Sequence, residues 1–200
     1  MRTIACNQKI SAFLLCAMFL ASCGDYSFRG TLLDEPTAAP EIALTDGQGR
    51  PWRLSDQEGK ITLLFFGFTN CPDVCPTALA DIAAARQQLG TDAERIQAVL
   101  ITVDPERDTP ARLGQYMAAF DPTFIGLSGS QAELQVVYSS YGVYAAKRDL
   151  PNSALGYTMD HTPSIYVIDQ QGRWRAMFSH GVPVRDLVSD LRFLLQTTGT

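Results

Sequence analysis

The chain has 200 residues, with 16 lysines and arginines against 21 aspartates and glutamates and a formal net charge of −5 with neutral histidines. So acidic a chain lacks the basic face that phosphate contacts require, which argues against a nucleic-acid binder. The length and the 46% hydrophobic content suit a single domain whose core is large enough to fold without staples.

Residues 1–22 read as a signal peptide rather than as part of the fold. Arg2 and Lys9 supply a positive start, and Ser11 to Leu20 is an apolar run. That run falls short of the about 20 apolar residues of a transmembrane helix, so an uncleaved anchor helix is the weaker alternative. Leu20-Ala21-Ser22-Cys23 resembles a bacterial lipobox, in which the cysteine becomes a lipidated N-terminus after cleavage. Cleavage before Cys23 leaves 178 residues with 14 basic against 21 acidic side chains, a net charge of −7.

Cleavage also simplifies the five cysteines. Cys6 and Cys16 leave with the signal and Cys23 carries lipid, so Cys71 and Cys75 remain as the thiols of an exported domain. In a disulfide-permissive compartment such a pair is a short disulfide, a redox couple or a set of metal ligands. Stapling is the weakest of these, because closing so small a loop removes little chain entropy.

Residues 23–40, with Pro36 and Pro40, read as a lipid anchor and extended tether, packing on the domain surface being the alternative. From Glu41 to the end at Thr200 the chain reads as one domain. Glu41 to Thr45 and Trp52 to Leu54 flank the turn cluster Asp46-Gly47-Gln48-Gly49 and predict an N-terminal hairpin. Ile61 to Phe68 and Ile96 to Val103 are nearly continuous apolar runs, as expected for strands buried on both faces. Between them, Pro76 to Leu89 has helical spacing. Thr109-Pro110 opens a second helix to Phe120, a cap followed by proline at the first helical position.

A short strand over Phe124 to Leu127 and a helix over Ser130 to Tyr141 follow. Ser164 to Asp169 and Arg173 to Phe178 are strands joined at Gln170-Gln171-Gly172, and Val184 to Gln196 closes as an amphipathic helix. This order describes an α/β sandwich with a mixed sheet, an N-terminal hairpin and a C-terminal helix. Thioredoxin-like folds have that order.

Cys71-Pro72-Asp73-Val74-Cys75-Pro76 lies between the first buried strand and the first long helix. Helix N-termini favour anions and lower thiol pKa values, which redox chemistry and metal binding both need. Pro76 biases Cys75 away from the α region, so the segment is expected to be a loop ending at the helix start. Three intervening residues make a poor copy of the C-x-x-C redox motif, whereas soft thiolates select copper(I) or zinc.

His161 lies in what reads as a loop, Tyr157 to Pro163, before the strand at Ser164. In a thioredoxin-like fold that stretch sits beside the cysteine loop, with Pro163 where a cis-proline is expected. Asp73 and Asp160 are candidates for orienting the ligands, or simply solvated. His180 reads as structural or exposed, and Phe65, Phe66 and Phe68 as core. The acidic run Asp104 to Asp108 reads as a turn capping the next helix. Neither a phosphate loop at Gly59-Lys60 nor a dinucleotide fingerprint is present.

Four elements together resemble the Sco/SenC family of copper-binding, thioredoxin-like assembly factors: Cys71 to Pro76, Val103 to Pro110, Gly126 to Gly129, and Asp160-His161-Thr162 before Tyr166 to Asp169. The resemblance implies a copper ion bound by Cys71, Cys75 and His161, with Cys71 and Cys75 forming a disulfide when oxidised. It implies maturation of the dinuclear copper site of cytochrome c oxidase subunit II, or of another copper-accepting oxidase. A periplasmic copper donor or a thioredoxin-like reductant would be a further partner. The expected location is the outer face of the inner membrane, held through the lipid on Cys23. The alternative is a thiol–disulfide oxidoreductase that reduces the oxidase's copper-ligand cysteines, with Cys71 and Cys75 as the redox pair.

Overall fold

The computed structural model describes residues 26–197, so the expected signal peptide and Cys23 lie outside the described residues. Among the described residues, ten strands and four α-helices are arranged around one mixed sheet. The strands are β1 (Thr31–Ala38), β2 (Ala43–Asp46), β3 (Pro51–Arg53), β4 (Ile61–Gly67), β5 (Ile96–Thr102), β6 (Ile125–Ser128), β7 (Ala145–Asp149), β8 (Tyr157–His161), β9 (Ser164–Ile168) and β10 (Arg173–Ser179). The helices are α1 (Val74–Leu89), α2 (Pro110–Ala118), α3 (Gln131–Ser140) and α4 (Val184–Thr197).

Eight strands form the main sheet in the order β1-β10-β9-β4-β5-β6-β2-β3, and β7 pairs with β8 as a separate ribbon. The centre belongs to β4 and β5, which pair in parallel and are buried along their whole length. Their unbroken apolar composition is what burial on both faces demands. β9 lies antiparallel on the other side of β4, and β6 parallel on the other side of β5. The expected α/β sandwich with a mixed sheet, N-terminal hairpin and C-terminal helix is the fold observed.

Local chemistry explains the helix boundaries. Thr109 caps α2 by accepting from the Arg112 N–H, with Pro110 at the first helical position. Ser130 and Glu133 form a reciprocal capping box at α3. In α4 the buried stripe is Leu187, Val188, Leu191, Leu194 and Leu195, and this helix packs against α1. No helix among the described residues is long and apolar enough to cross a membrane.

The structure departs from the sequence reading in four places. Within the expected tether, residues 31–38 form β1, paired antiparallel with β10, so this part of the chain belongs to the domain. Its sequence carries no alternation because few of its side chains are covered. Helix α1 begins at Val74, so Cys75 is helical rather than the end of a loop. Pro76 is tolerated there because first-turn N–H groups have no intrahelical acceptor to lose. His161 is the last residue of β8, in a hairpin half-buried along β8 and therefore without a period-two apolar signal. Among the described residues no peptide is cis, so the bond before Pro163 is trans.

Candidate metal centre

The site forms at the C-terminal end of β4, where parallel strands of open α/β sheets present their loops. β4 ends at Gly67, the chain turns through Phe68 to Asn70, and Cys71 precedes the first turn of α1. Cys71 is half-buried and Cys75 fully buried, and both are free thiols. The Cys75 N–H points at the Cys71 Sγ at 3.4 Å. Asp73, the N-cap residue, makes no side-chain cap. The sulfur of Cys71 thus takes one of the N–H groups that the helix start leaves over.

His161 enters from the far end of β8. Its Nε2 lies 3.5 Å from the Cys75 Sγ, and its Nδ1 lies 3.2 Å from the Thr162 carbonyl. A carbonyl only accepts, so the proton sits on Nδ1 and the lone pair of Nε2 faces the thiols. The rings of Phe65 and Phe68 hold the imidazole edge-to-face, with centroids at 6.1 and 5.8 Å. These two phenylalanines are core residues, as expected, and also the walls that orient the histidine.

The two thiols are pulled apart in acidity. The hydrogen bond with Cys75, with smaller help from the backbone N–H groups of Asp73 and Cys75, holds the Cys71 thiol well below its ordinary range. The same hydrogen bond, with burial and the charge on Cys71, pushes Cys75 up. One thiolate and one thiol therefore share the site, the thiolate on the solvent side. The opening is a shallow depression of about 320 Å³ walled by Phe68, Pro72, Met159 and the exposed Arg148.

One donor atom from each of Cys71, Cys75 and His161 lies within 4.8 Å of the others. Two metal–sulfur bonds of about 2.3 Å span at most about 4.6 Å, so one ion fits with little adjustment. Two sulfurs and an imidazole suit copper or zinc.

Other residues hold this geometry. Buried Asp108 accepts from the Thr69 N–H (3.1 Å), the Thr69 hydroxyl (2.6 Å) and the Thr102 hydroxyl (2.7 Å), fixing the cysteine turn to β5. Arg112 donates to the Thr69 hydroxyl and to the side-chain amide oxygen Oδ1 of Asn70. Asp104, also buried, pairs with Arg107 and accepts from the Tyr157 hydroxyl at 2.8 Å. The Arg107 guanidinium lies 3.7 Å from the centroid of the Tyr157 ring, and the Lys147 ammonium 3.9 Å.

The run 104–108 is therefore not a helix cap, a part that Thr109 plays. Its two buried carboxylates, Asp104 and Asp108, grip the His161 hairpin and the cysteine turn respectively. Composition alone made the run look like a turn capping the next helix, though two carboxylates spaced four apart beside a strand end were the available signal.

The remaining candidates separate. Asp160 faces Arg148 in a two-pronged ion pair and makes no bond to His161. Asp73 is exposed and acts through its backbone, and His180 is exposed. Gly67 was missed altogether. A Cβ there would stand 2.8 Å from the Cys75 Sγ, 2.9 Å from Phe65 and 3.0 Å from Leu100, so glycine makes the room the sulfur occupies.

Comparison with known proteins agrees with this geometry. The model of the SCO1/SenC family matches residues 32–196. A SCO2-like protein of Rickettsia prowazekii is 35% identical over 150 residues, covering 70% of this chain and 73% of the relative. The structure of Bradyrhizobium japonicum ScoI with copper bound is 42% identical, with TM-score 0.72 over 80% of this chain and all of that one. A SCO1/SenC family lipoprotein from Bacillus anthracis is 26% identical, with TM-score 0.68 over 81% of this chain and 98% of that one. The chain belongs to the SCO1/SenC family.

Proposed function

We propose that the chain is a copper metallochaperone for the maturation of the dinuclear copper site of cytochrome c oxidase. The observation that carries this reading is the convergence of two sulfurs and the Nε2 lone pair of His161 at an open depression. The relative from Bradyrhizobium japonicum binds copper on the same fold. Copper is the cargo: Cys71 and Cys75 supply thiolates that hold copper(I), and His161 adds the nitrogen that copper(II) favours. The proton on Cys75 leaves as the ion enters, since thiolates are the ligands. A partner's cysteines and histidines take the ion by ligand exchange through the exposed side, where Cys71 lies.

The anchor completes the reading. Cleavage before Cys23 and lipidation of that residue would hold the domain at the outer face of the inner membrane, and the Bacillus anthracis relative is a lipoprotein.

A second reading is favoured by the asymmetry of the thiols. Cys71, acidic and half-exposed, would attack a partner disulfide. Buried Cys75 would then displace the partner from the mixed disulfide, leaving a Cys71–Cys75 disulfide and two reduced partner thiols. This reductase role needs no histidine ligand.

The deciding experiment loads the full chain with copper and compares Cys71→Ala with His161→Ala. A chaperone loses copper(I) with Cys71→Ala and the copper(II) spectrum with His161→Ala. Unchanged stoichiometry and spectra in both variants refute it. Copper-free turnover of a disulfide substrate that survives His161→Ala supports the reductase instead.

A further inference from the structure

A buried polar cluster remote from the metal centre in sequence lies on α4. Asp190 is fully buried on this helix and takes no part in the site. It accepts from the Tyr26 hydroxyl at 2.5 Å and from the backbone N–H groups of Arg29 and Gly30, each at 2.8 Å. The Tyr26 ring stacks on Phe193 with centroids 4.2 Å apart and planes at 10°, and its hydroxyl also meets Ser189 at 2.8 Å. A buried carboxylate requires such donors, and in meeting the requirement it locks residues 26–30 along α4. The segment beside the anchor is therefore clamped to one helix.

Geometry then places the bilayer. Cys23 precedes Tyr26 by three residues, which span at most about 11 Å when fully extended. With lipid on Cys23, the clamp would bring the outward face of α4 to the membrane surface. That face carries Arg185, Ser189, Arg192 and Gln196, spaced along one side of the helix. With Tyr26 they line an open depression of about 380 Å³ that no carboxylate lines, in a chain whose overall charge is negative. Arg192 spends one N–H on the Gln88 carbonyl. Arg185 pairs with Asp186 only at 3.5 Å and is largely exposed, so the pair holds little of its charge. Arg29 is exposed close by.

We propose that the outward stripe of α4, with Tyr26 and Arg29, is a docking surface for an anionic phospholipid bilayer and sets one orientation of the domain on its membrane. Arginines meet headgroup phosphates bidentately, and a tyrosine suits the boundary between apolar and wet layers. The residues lining the metal centre's depression are all absent from this stripe, so docking leaves that opening free. The inference rests on the membrane anchor at Cys23 described above.

The test uses the full lipidated chain in vesicles of phosphatidylcholine with and without phosphatidylglycerol, carrying a gadolinium chelate on some headgroups. With phosphatidylglycerol, NMR signals of residues 26–30 and of the α4 stripe relax faster than those of residues 71–75 and 157–161. Arg185→Ala and Arg192→Ala each lower the docked population about fivefold, from roughly 1 kcal/mol per basic residue at an anionic surface. Copper loading stays unchanged in both, which reports the fold. Relaxation that is even over the domain, or indifferent to phosphatidylglycerol and to both substitutions, overturns the docking surface while the anchor stands. A chain that fails to float with vesicles overturns the anchor and the docking surface together.

Discussion

Replacing Gly67 by alanine tests how the core and the metal centre share one space. The added methyl would lie 2.8 Å from the Cys75 Sγ, 2.9 Å from Phe65 and 3.0 Å from Leu100, against 3.4–4 Å for ordinary contact. Each neighbour must therefore retreat by several tenths of an ångström, and Cys75, Phe65 and Leu100 are all essentially buried. Overpacking of this kind costs about 1–3 kcal/mol. Alanine recovers about 0.4–1 kcal/mol through the less flexible unfolded chain, because the φ at this position suits any residue. With three close contacts at once the upper range applies, giving a net loss of about 2 kcal/mol. That leaves a typical domain folded. Urea unfolding should show a lower midpoint at unchanged slope. The same displacement moves the Cys75 sulfur relative to His161, so the sulfur-to-copper absorption of the loaded chain should shift or weaken. A midpoint change worth less than about 0.5 kcal/mol, typical of a neutral surface change, would refute the packing argument.

Three further outcomes follow from the same geometry. Asp108→Ala leaves three donors without their acceptor and should cost about 3 kcal/mol in urea unfolding, with copper affinity reduced about tenfold, as for other supports of metal ligands. Because the folded Cys71 thiol is more acidic than the unfolded one, folding gains stability as pH rises towards the unfolded value and loses it as pH falls through the folded one, while Cys75 contributes with the opposite sign. Iodoacetamide labelling of copper-free chain, followed by mass spectrometry, should accordingly modify Cys71 at a rate nearly flat from pH 8 to pH 6, whereas a rate falling tenfold per unit would contradict the thiolate. Copper(I) at 100 times its dissociation constant should stabilise by about 2.7 kcal/mol and raise Tm by about 5–11 °C in calorimetry. Cys71→Ser should abolish that rise and His161→Ala should preserve most of it.

Much of the fold was legible from local chemistry. β4 and β5 announced themselves as unbroken apolar runs, α2 and α3 by their caps, and the β9–β10 hairpin by its turn. The hairpin of β7 and β8 was not legible, because a ribbon half-covered on both sides has no regular apolar period. The edge strand β1 hid because few of its side chains are covered, and Cys75 lies inside α1 although the proline after it biases it away from the α region.

Residue type and position alone pointed to Cys71 and Cys75, the thiols that cleavage before Cys23 would leave in an exported domain. The family resemblance added His161. Tertiary structure decided how the three differ. Their shared hydrogen bond lowers the Cys71 thiol and raises that of Cys75, whose deeper burial raises it further, and the Thr162 carbonyl turns the His161 lone pair towards them. It also decided that Asp104 and Asp108 are buried supports and that Gly67 is the space for a sulfur. These facts depend on distances between residues remote in the chain, which no local pattern of composition or spacing encodes.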